Sequence, residues 1–147
     1  MQRTLAVLTV LFAAIGARAD GDQLLGVWLN EPGDGLIRIE RSGDSYKGTI
    51  IGAPRDTRSD PNARDVNNPD PALRDRPLIG LVLMGNYRFD GKRWSGGWIY
   101  DPDAGKQYKS RLQLNSDGTL EVRGYIGAPM FGRTQTWTRS SASAVGE

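Results

Sequence analysis

The sequence contains no histidine and no cysteine, so any chemistry must come from carboxylates, arginines and aromatic rings. These absences exclude a Ser-His-Asp triad, a thiol nucleophile, a disulfide and a metal site built on histidine or cysteine. Carboxylate pairs can hydrolyse glycosides, but acids such as Asp90 and Asp101 sit in turns, where turn chemistry explains them. We expect no enzyme, cofactor or metal, and a carboxylate-based hydrolase is the remaining enzymatic alternative.

Aromatic side chains repeat along one predicted strand, residues 92–100. Trp94, Trp98 and Tyr100 share one parity of that strand, and Tyr108 on the next strand can lie beside them. Rings with polar tips suit an apolar or amphipathic ligand, so this face is a predicted ligand-binding surface. The alternative is a packed barrel core without a cavity, because aromatic stripes usually fill small barrels.

Arginines in the last two predicted strands are candidate partners for a ligand carboxylate. Arg123 and Tyr125 share one strand face, and the opposite face is aliphatic. An inward aliphatic face would put Arg123 outside, whereas the reverse orientation would aim it at a ligand. Arg133 has the parity of Trp137, so an inward Trp137 would place Arg133 at the mouth of the barrel in the same role.

Acids and amides also collect in residues 53–77, which show no strand pattern. Their oxygens are of the kind that Ca²⁺ favours, but they match no EF-hand loop and arginines are interspersed among them. We therefore predict a solvated loop laced with ion pairs and no metal site. A loop of this length is typical of a functional lid or a disordered segment. The side chains concerned are Asp56, Asp60, Asp65, Asp70, Asn67 and Asn68.

Short strands separated by turns rich in glycine and proline must position these residues. The predicted strands are 24–30, 36–41, 45–52, 78–89, 92–100, 106–114, 119–127 and 132–139. A helical turn is also predicted near residues 71–74. The pattern favours one all-β domain, an antiparallel up-and-down barrel of about eight strands, with a related sandwich as the alternative. A barrel of this size holds either a packed core or one small ligand.

The chain begins with the pattern of a secretory signal peptide, residues 1–19. Arg3 precedes an apolar run, and Ala17-Arg18-Ala19 forms a small-residue cleavage site. The run is too short to span a bilayer. We predict cleavage after Ala19, which leaves a periplasmic or secreted barrel domain, residues 20–139, and a disordered tail, 140–147. An uncut membrane anchor is the alternative.

The net charge of +2 would suggest an anionic partner, but this charge comes from the predicted signal peptide. The segment carries Arg3 and Arg18 and no acid, so the mature chain has equal numbers of basic and acidic residues. We therefore expect no nucleic-acid partner and no membrane span after cleavage.

Four blocks of the sequence occur in an order that is typical of a known family. They are residues 66–80, 94–102, 124–127 and 131–139. Together they resemble the bacterial family called domain of unknown function 2147. The resemblance implies an exported barrel similar to lipocalins and supplies no activity or catalytic residues. It also implies a disulfide near the second hairpin in some members, where this chain has Ser42 and Lys47 instead.

The similarity to lipocalins implies a further contact between the two ends of the chain. Lipocalins often carry Gly-x-Trp on the first strand, with an arginine of the last strand lying across the tryptophan. This chain has Gly26-Val27-Trp28 and Arg139, so a cation–π contact is expected to close one barrel end near Trp137. The alternative is that Trp28 is an ordinary core residue and Arg139 is solvated.

The resulting functional hypothesis is a barrel that binds a small apolar or amphipathic molecule. Its alternative is an envelope protein-interaction module with a solid core that acts through its surface and the loop at residues 53–77. A hollow barrel interior favours the binding function, and a filled interior favours the interaction module.

Overall fold

The computed structural model describes residues 21–54 and 60–141. Eight antiparallel strands form a closed barrel in which each strand pairs with its neighbours in sequence and the last pairs with the first. The predicted all-β up-and-down barrel is confirmed, and the sandwich alternative is wrong. The strands are β1 (Gly26–Leu29), β2 (Leu36–Ser42), β3 (Ser45–Gly52), β4 (Val82–Phe89), β5 (Trp94–Asp101), β6 (Lys106–Leu114), β7 (Leu120–Tyr125) and β8 (Gly132–Ser140).

The strand bounds differ from the sequence pattern most clearly before β4 and after β7. Residues 78–81 form a turn in which the Leu81 amide donates to the Leu78 carbonyl at 3.0 Å. Residues 126–131 form a loop closed by the Ile126 amide donating to the Phe131 carbonyl at 3.1 Å. The predicted signal peptide lies outside the described residues, as does the tail from residue 142 onward. Ser140, predicted to belong to that tail, is instead the last residue of β8.

The connections between strands alternate between two ends of the barrel. At the closed end, a short 3₁₀ helix, Asp22–Leu24, precedes β1 and contacts β2. At the open end lie the connections that follow β1, β3, β5 and β7, including residues 60–81. The two ends therefore carry different kinds of segment, short turns with a helix at one and longer loops at the other.

Three indole rings fill the closed end. Trp28, Trp94 and Trp137 are each at most 2% exposed. Trp28 Nε1 donates to the Leu24 carbonyl at 3.0 Å, and Trp94 Nε1 donates to the Gly21 carbonyl at 3.1 Å. A buried indole N–H needs such a partner, so the helix and the residue before it both cover this core and satisfy its polar atoms.

A paired irregularity in β4 and β5 reverses the alternation of side chains along both strands. The register of β5 shifts between Trp94 and Gly97. Gly96 has φ 75°, and Asn86 in β4 has φ 61° and donates from Nδ2 to the Gly96 carbonyl at 3.1 Å. Positive φ is costly for most residues, so glycine and asparagine suit this β-bulge. Side chains on either side of the bulge consequently follow opposite parities.

Residues 60–77 of the predicted loop are held by their own hydrogen bonds. The Asp65 amide donates to the Arg76 carbonyl at 3.0 Å, and Arg64 forms an isolated bridge with Pro77. The predicted helical turn is a 3₁₀ helix, Pro71–Leu73, capped by the Asp70 side chain. Residues 55–59 lie outside the described residues. The described part of this segment is thus an ordered loop at the open end.

Candidate functional site

The inner face of the barrel can be traced through the strand register, because directly opposed residues of antiparallel strands share a face. Trp137 of β8 is opposite Leu120 of β7, and both are buried in the core. Gln135 and Arg133 follow at two-residue steps, and Arg133 is opposite Gly124. These β8 side chains therefore belong to the inner face, and Arg133 lies nearest the open end.

The inward-facing residues beside Arg133 on the neighbouring strands have small side chains. Gly124 is opposite Ser110, and Ser110 is opposite Gly97. Ser110 is 0% exposed, and its hydroxyl has no hydrogen-bond partner among the described residues. Tyr108 and Ile99 form the next inward pair toward the open end, and both are half-buried. The wall thus changes from large buried rings to small residues and then to accessible ones.

Neighbouring side chains approach the two glycines of this wall, Gly97 and Gly124, to different distances. A Cβ added to Gly97 would lie 2.4 Å from the Tyr87 ring, so Tyr87 occupies that space. A Cβ added to Gly124 would lie 3.5 Å from Ile99 Cγ2 and 3.6 Å from Tyr108 Cβ, which are ordinary contacts. Burial raises the pKa of Tyr87, and its hydroxyl donates to the Trp98 carbonyl at 3.3 Å. Tyr87 is therefore an uncharged packing residue.

The edge of β8 makes the inner face accessible near the open end. β1 pairs with residues 138–140 of β8 and no further, so residues 132–137 have a paired strand only on the β7 side within the described chain. Gln135 and Arg133 are accordingly exposed although they belong to the inner face. We call the accessible inner surface at this end the open-end site. It consists of Ile99, Tyr108, Gly124, Arg133 and Gln135.

The predicted aromatic surface of β5 is wrong, because its members do not share a face. Trp94 points inward opposite Leu112, whereas Trp98 is opposite Lys109 on the outer face. Tyr100 follows Trp98 at a two-residue step and is also outside. The bulge at Gly96 causes this change, since it inserts one residue between Trp94 and the rest of the strand. Of the predicted aromatic residues, only Tyr108 contributes to the open-end site.

Tyr100 anchors the open-end loop to the outside of the barrel. Its hydroxyl donates to Asp65 Oδ1 at 2.6 Å, while Asn68 Nδ2 and Arg76 Nε each donate to Oδ2 at 2.8 Å. Burial alone would raise the pKa of Asp65, but these three hydrogen bonds and the Arg76 charge outweigh it and lower that pKa. The prediction of a solvated carboxylate is wrong for Asp65, which is 0% exposed.

Arg123 and Tyr125 lie on the outer face, in the orientation that the aliphatic face of β7 favoured. Arg123 is opposite Arg111, and its Nε donates to the Pro129 carbonyl at 2.7 Å. Its Nη1 donates to Thr134 Oγ1 at 2.7 Å. The favoured outward orientation of Arg123 is confirmed, the alternative in which Arg123 and Tyr125 face a ligand inside the barrel is wrong, and Arg133 lies on the inner wall.

The stack expected between the two ends of the chain is present at the closed end. The Arg139 guanidinium carbon lies 4.3 Å from the centre of the Trp28 ring. Its Nη1 donates to the Leu25 carbonyl at 2.9 Å, and its Nη2 donates to the Gln23 carbonyl at 2.7 Å. Arg139 thus joins β8 to the segment before β1, and Trp137 packs inside the same end.

Residues 21–54 and 60–141 contain neither a cluster of metal ligands nor a helix that could cross a membrane. No group of three or more carboxylates there is arranged to hold a metal ion. No helix in the same ranges has the length and apolarity that crossing a bilayer requires. The open-end site itself presents one guanidinium, an amide, a phenol and apolar surface, which are groups that bind and orient a molecule.

Comparisons with known proteins agree with this architecture. A solved structure from Helicobacter pylori, protein HP1028, is described as belonging to the lipocalin family; it superposes with a TM-score of 0.72 at 25% identity. The match covers 82% of this chain and 84% of that protein. No curated protein matches. A family described as uncharacterized protein conserved in bacteria (DUF2147) matches residues 26–139. The chain therefore belongs to the DUF2147 family and has a lipocalin-like barrel.

Proposed function

We propose that this protein is an exported binding protein that holds a small apolar or amphipathic molecule at the open-end site. One observation carries the proposal: the inner face is sealed by Trp28, Trp94 and Trp137 at one end and accessible at the other. A lipocalin-like barrel with one accessible end is compatible with small-ligand binding. The signal-peptide pattern of residues 1–19 supports export.

The side chains of the open-end site favour a ligand with an apolar body and an anionic head. Ile99 and Tyr108 are paired across β5 and β6 and offer apolar surface next to Gly124. Arg133 lies at the accessible rim, where a guanidinium binds a carboxylate through charge-assisted hydrogen bonds. A medium-chain carboxylate has an alkyl chain for the apolar surface and a charged head for Arg133.

Titration calorimetry with decanoate and 1-decanol tests this proposal. The two probes share a chain length and differ in head-group charge. We expect the wild type to bind both, and Arg133→Gln to weaken decanoate about tenfold because one charge-assisted contact is lost. Binding of 1-decanol should not change. Arg88→Gln is the matched control, since Arg88 is an exposed arginine of β4 away from the site.

The proposal fails if the wild type binds neither probe, or if Arg88→Gln weakens decanoate as much as Arg133→Gln does. The alternative function is a protein-interaction module, and it rests on Val66, which is 65% exposed on the loop anchored by Asp65. That alternative predicts that neither probe binds. It also predicts that deletion of residues 60–77 abolishes the function of the protein in the cell.

A further inference from the structure

The loop between β7 and β8 exposes several large apolar side chains. Ile126, Met130 and Phe131 are 68%, 76% and 68% exposed. Residues 126–132 contain no charged residue. Contiguous apolar surface of this kind usually marks a site of interaction with another molecule. The loop is distinct from the open-end site, whose side chains lie on the inner face.

The same loop folds over the outer face of β6 and β7 and borders an open groove that is rich in arginine. The groove has a volume of about 380 Å³, and its wall includes Arg93, Arg111, Arg123, Glu121 and Met130. Arg111 and Arg123 are directly opposite on adjacent strands. Like charges in this arrangement repel each other, so an anion between them would be stabilising.

The groove carries three arginines and one acid, Glu121, and none of its arginines forms a salt bridge within the described residues, although Arg93 lies near the charge of Asp90. The ion pairs found in residues 21–54 and 60–141 join Arg41 to Asp22 and Arg76 to Asp65, and neither involves the groove. Arg123 also holds the loop in place, because its Nε and Nη1 are bonded to the Pro129 carbonyl and Thr134 Oγ1. The groove is therefore a preformed cationic surface beside an exposed apolar loop.

We propose that this face docks the protein on a membrane that contains anionic phospholipid. Met130 and Phe131 enter the interfacial region of the bilayer, while Arg93, Arg111 and Arg123 contact the headgroup phosphates. An uncharged apolar loop beside arginines matches a membrane surface, in which an apolar region lies beneath anionic headgroups. The inference is independent of the proposed ligand site, since no residue is shared.

Vesicle flotation of the mature protein tests the proposal. One set of vesicles contains phosphatidylcholine alone, and the other contains equal parts of phosphatidylcholine and phosphatidylglycerol. We expect binding to the anionic vesicles only. This binding should weaken as salt is raised from about 0.1 M to about 1 M, because the screening length falls from about 10 Å to about 3 Å.

Two variants separate the charged and the apolar contributions. Arg111→Gln should weaken binding about fivefold, the typical contribution of one arginine near an anionic surface. Joint substitution of Met130→Ser and Phe131→Ser should weaken it at least about tenfold through lost apolar contact. The matched controls are Arg38→Gln, which removes an arginine on the opposite side of the barrel on β2, and Val66→Ser, which removes an exposed apolar side chain of the loop at residues 60–77.

The proposal is overturned if neither vesicle binds, if phosphatidylcholine alone binds equally well, or if the control variants weaken binding as much as the groove variants. Calorimetry with inorganic phosphate identifies the source of the anion. Saturable phosphate binding that Arg111→Gln abolishes, without vesicle binding, would assign the groove to a free anion and refute membrane docking.

Discussion

Two glycines at the same level of the inner wall provide a matched test of how the barrel interior is filled. Neither Gly97 nor Gly124 has a positive φ, so alanine is tolerated by the backbone at both. At Gly97 the new Cβ would lie 2.4 Å from the Tyr87 ring, which is itself 1% exposed and has little room to move. Overpacking of this kind costs about 1–3 kcal/mol.

Gly124→Ala should have the opposite effect. Its new Cβ would meet Ile99 and Tyr108 at ordinary contact distances. Replacing glycine where the backbone is compatible stabilises a protein by about 0.4–1 kcal/mol, because the unfolded chain loses freedom. The two variants should therefore differ in free energy of unfolding by about 1.5–4 kcal/mol.

Urea unfolding followed by tryptophan fluorescence measures this difference, since Trp28, Trp94 and Trp137 report on the closed end. The slope of the free energy against urea should stay constant, so that the midpoint shift reports stability. Equal stabilities for Gly97→Ala and Gly124→Ala would refute the conclusion that β5 leaves no room for a methyl group at Gly97 and that β7 accommodates one at Gly124. A larger loss at Gly124 would reverse it.

Further predictions concern the anchors at each end of the barrel. Tyr100→Phe should cost about 1–3 kcal/mol by urea unfolding, because the buried Asp65 carboxylate loses a donor. The folded pKa of Asp65 is depressed, so its contribution to the free energy of unfolding should be fully present above the unfolded pKa, about 3.9, and lost as pH falls through the lower folded pKa. Asp65→Asn should therefore reduce the loss of stability that the wild type shows at acid pH, measured by urea unfolding over a series of pH values. Arg139→Gln should lower stability by about 1–2 kcal/mol, since the stack on Trp28 and two hydrogen bonds disappear. Ser110→Ala should leave the urea midpoint unchanged or raised, because it removes a buried hydroxyl without a partner.

The sequence pattern is sufficient to locate strands where strong turns flank a regular alternation. The third strand, Ser45–Gly52, and the sixth, Lys106–Leu114, have the bounds that the pattern predicts. Each is preceded by a turn with glycine at positive φ, at Gly43 and Gly105. Local turn chemistry and alternation therefore determine the hairpins and, through them, the barrel.

The orientation of the β5 side chains is not available from local sequence. Alternation places Trp94 and Trp98 together, but the bulge that separates them depends on the contact between Gly96 and Asn86 on the neighbouring strand. A Gly-Gly pair within a strand is a weak local signal of such a bulge. The strand pairing, rather than the residue itself, decides which of the two glycines takes up the extra residue.

Burial of a single loop acid is equally a tertiary property. Of Asp60, Asp65 and Asp70, it is Asp65 that lies against Tyr100 and is buried, and nothing in its immediate sequence marks it for that contact. Arg133, in contrast, was predictable, because its parity with Trp137 places it on the inner face once Trp137 is known to be inside. Part of the candidate site can thus be predicted from the sequence, because side chains alternate between the two faces along β8.

Titration of the mature, isotope-labelled protein with decanoate, followed by amide and indole NMR shifts, tests the central claim most directly. We predict saturable shifts at Tyr108, Gly124 and Gln135, with the indole signals of Trp28 and Trp94 at the closed end unchanged. Absence of saturable shifts at the open-end amides, or shifts confined to the outer face, would contradict ligand binding at the accessible end of the barrel.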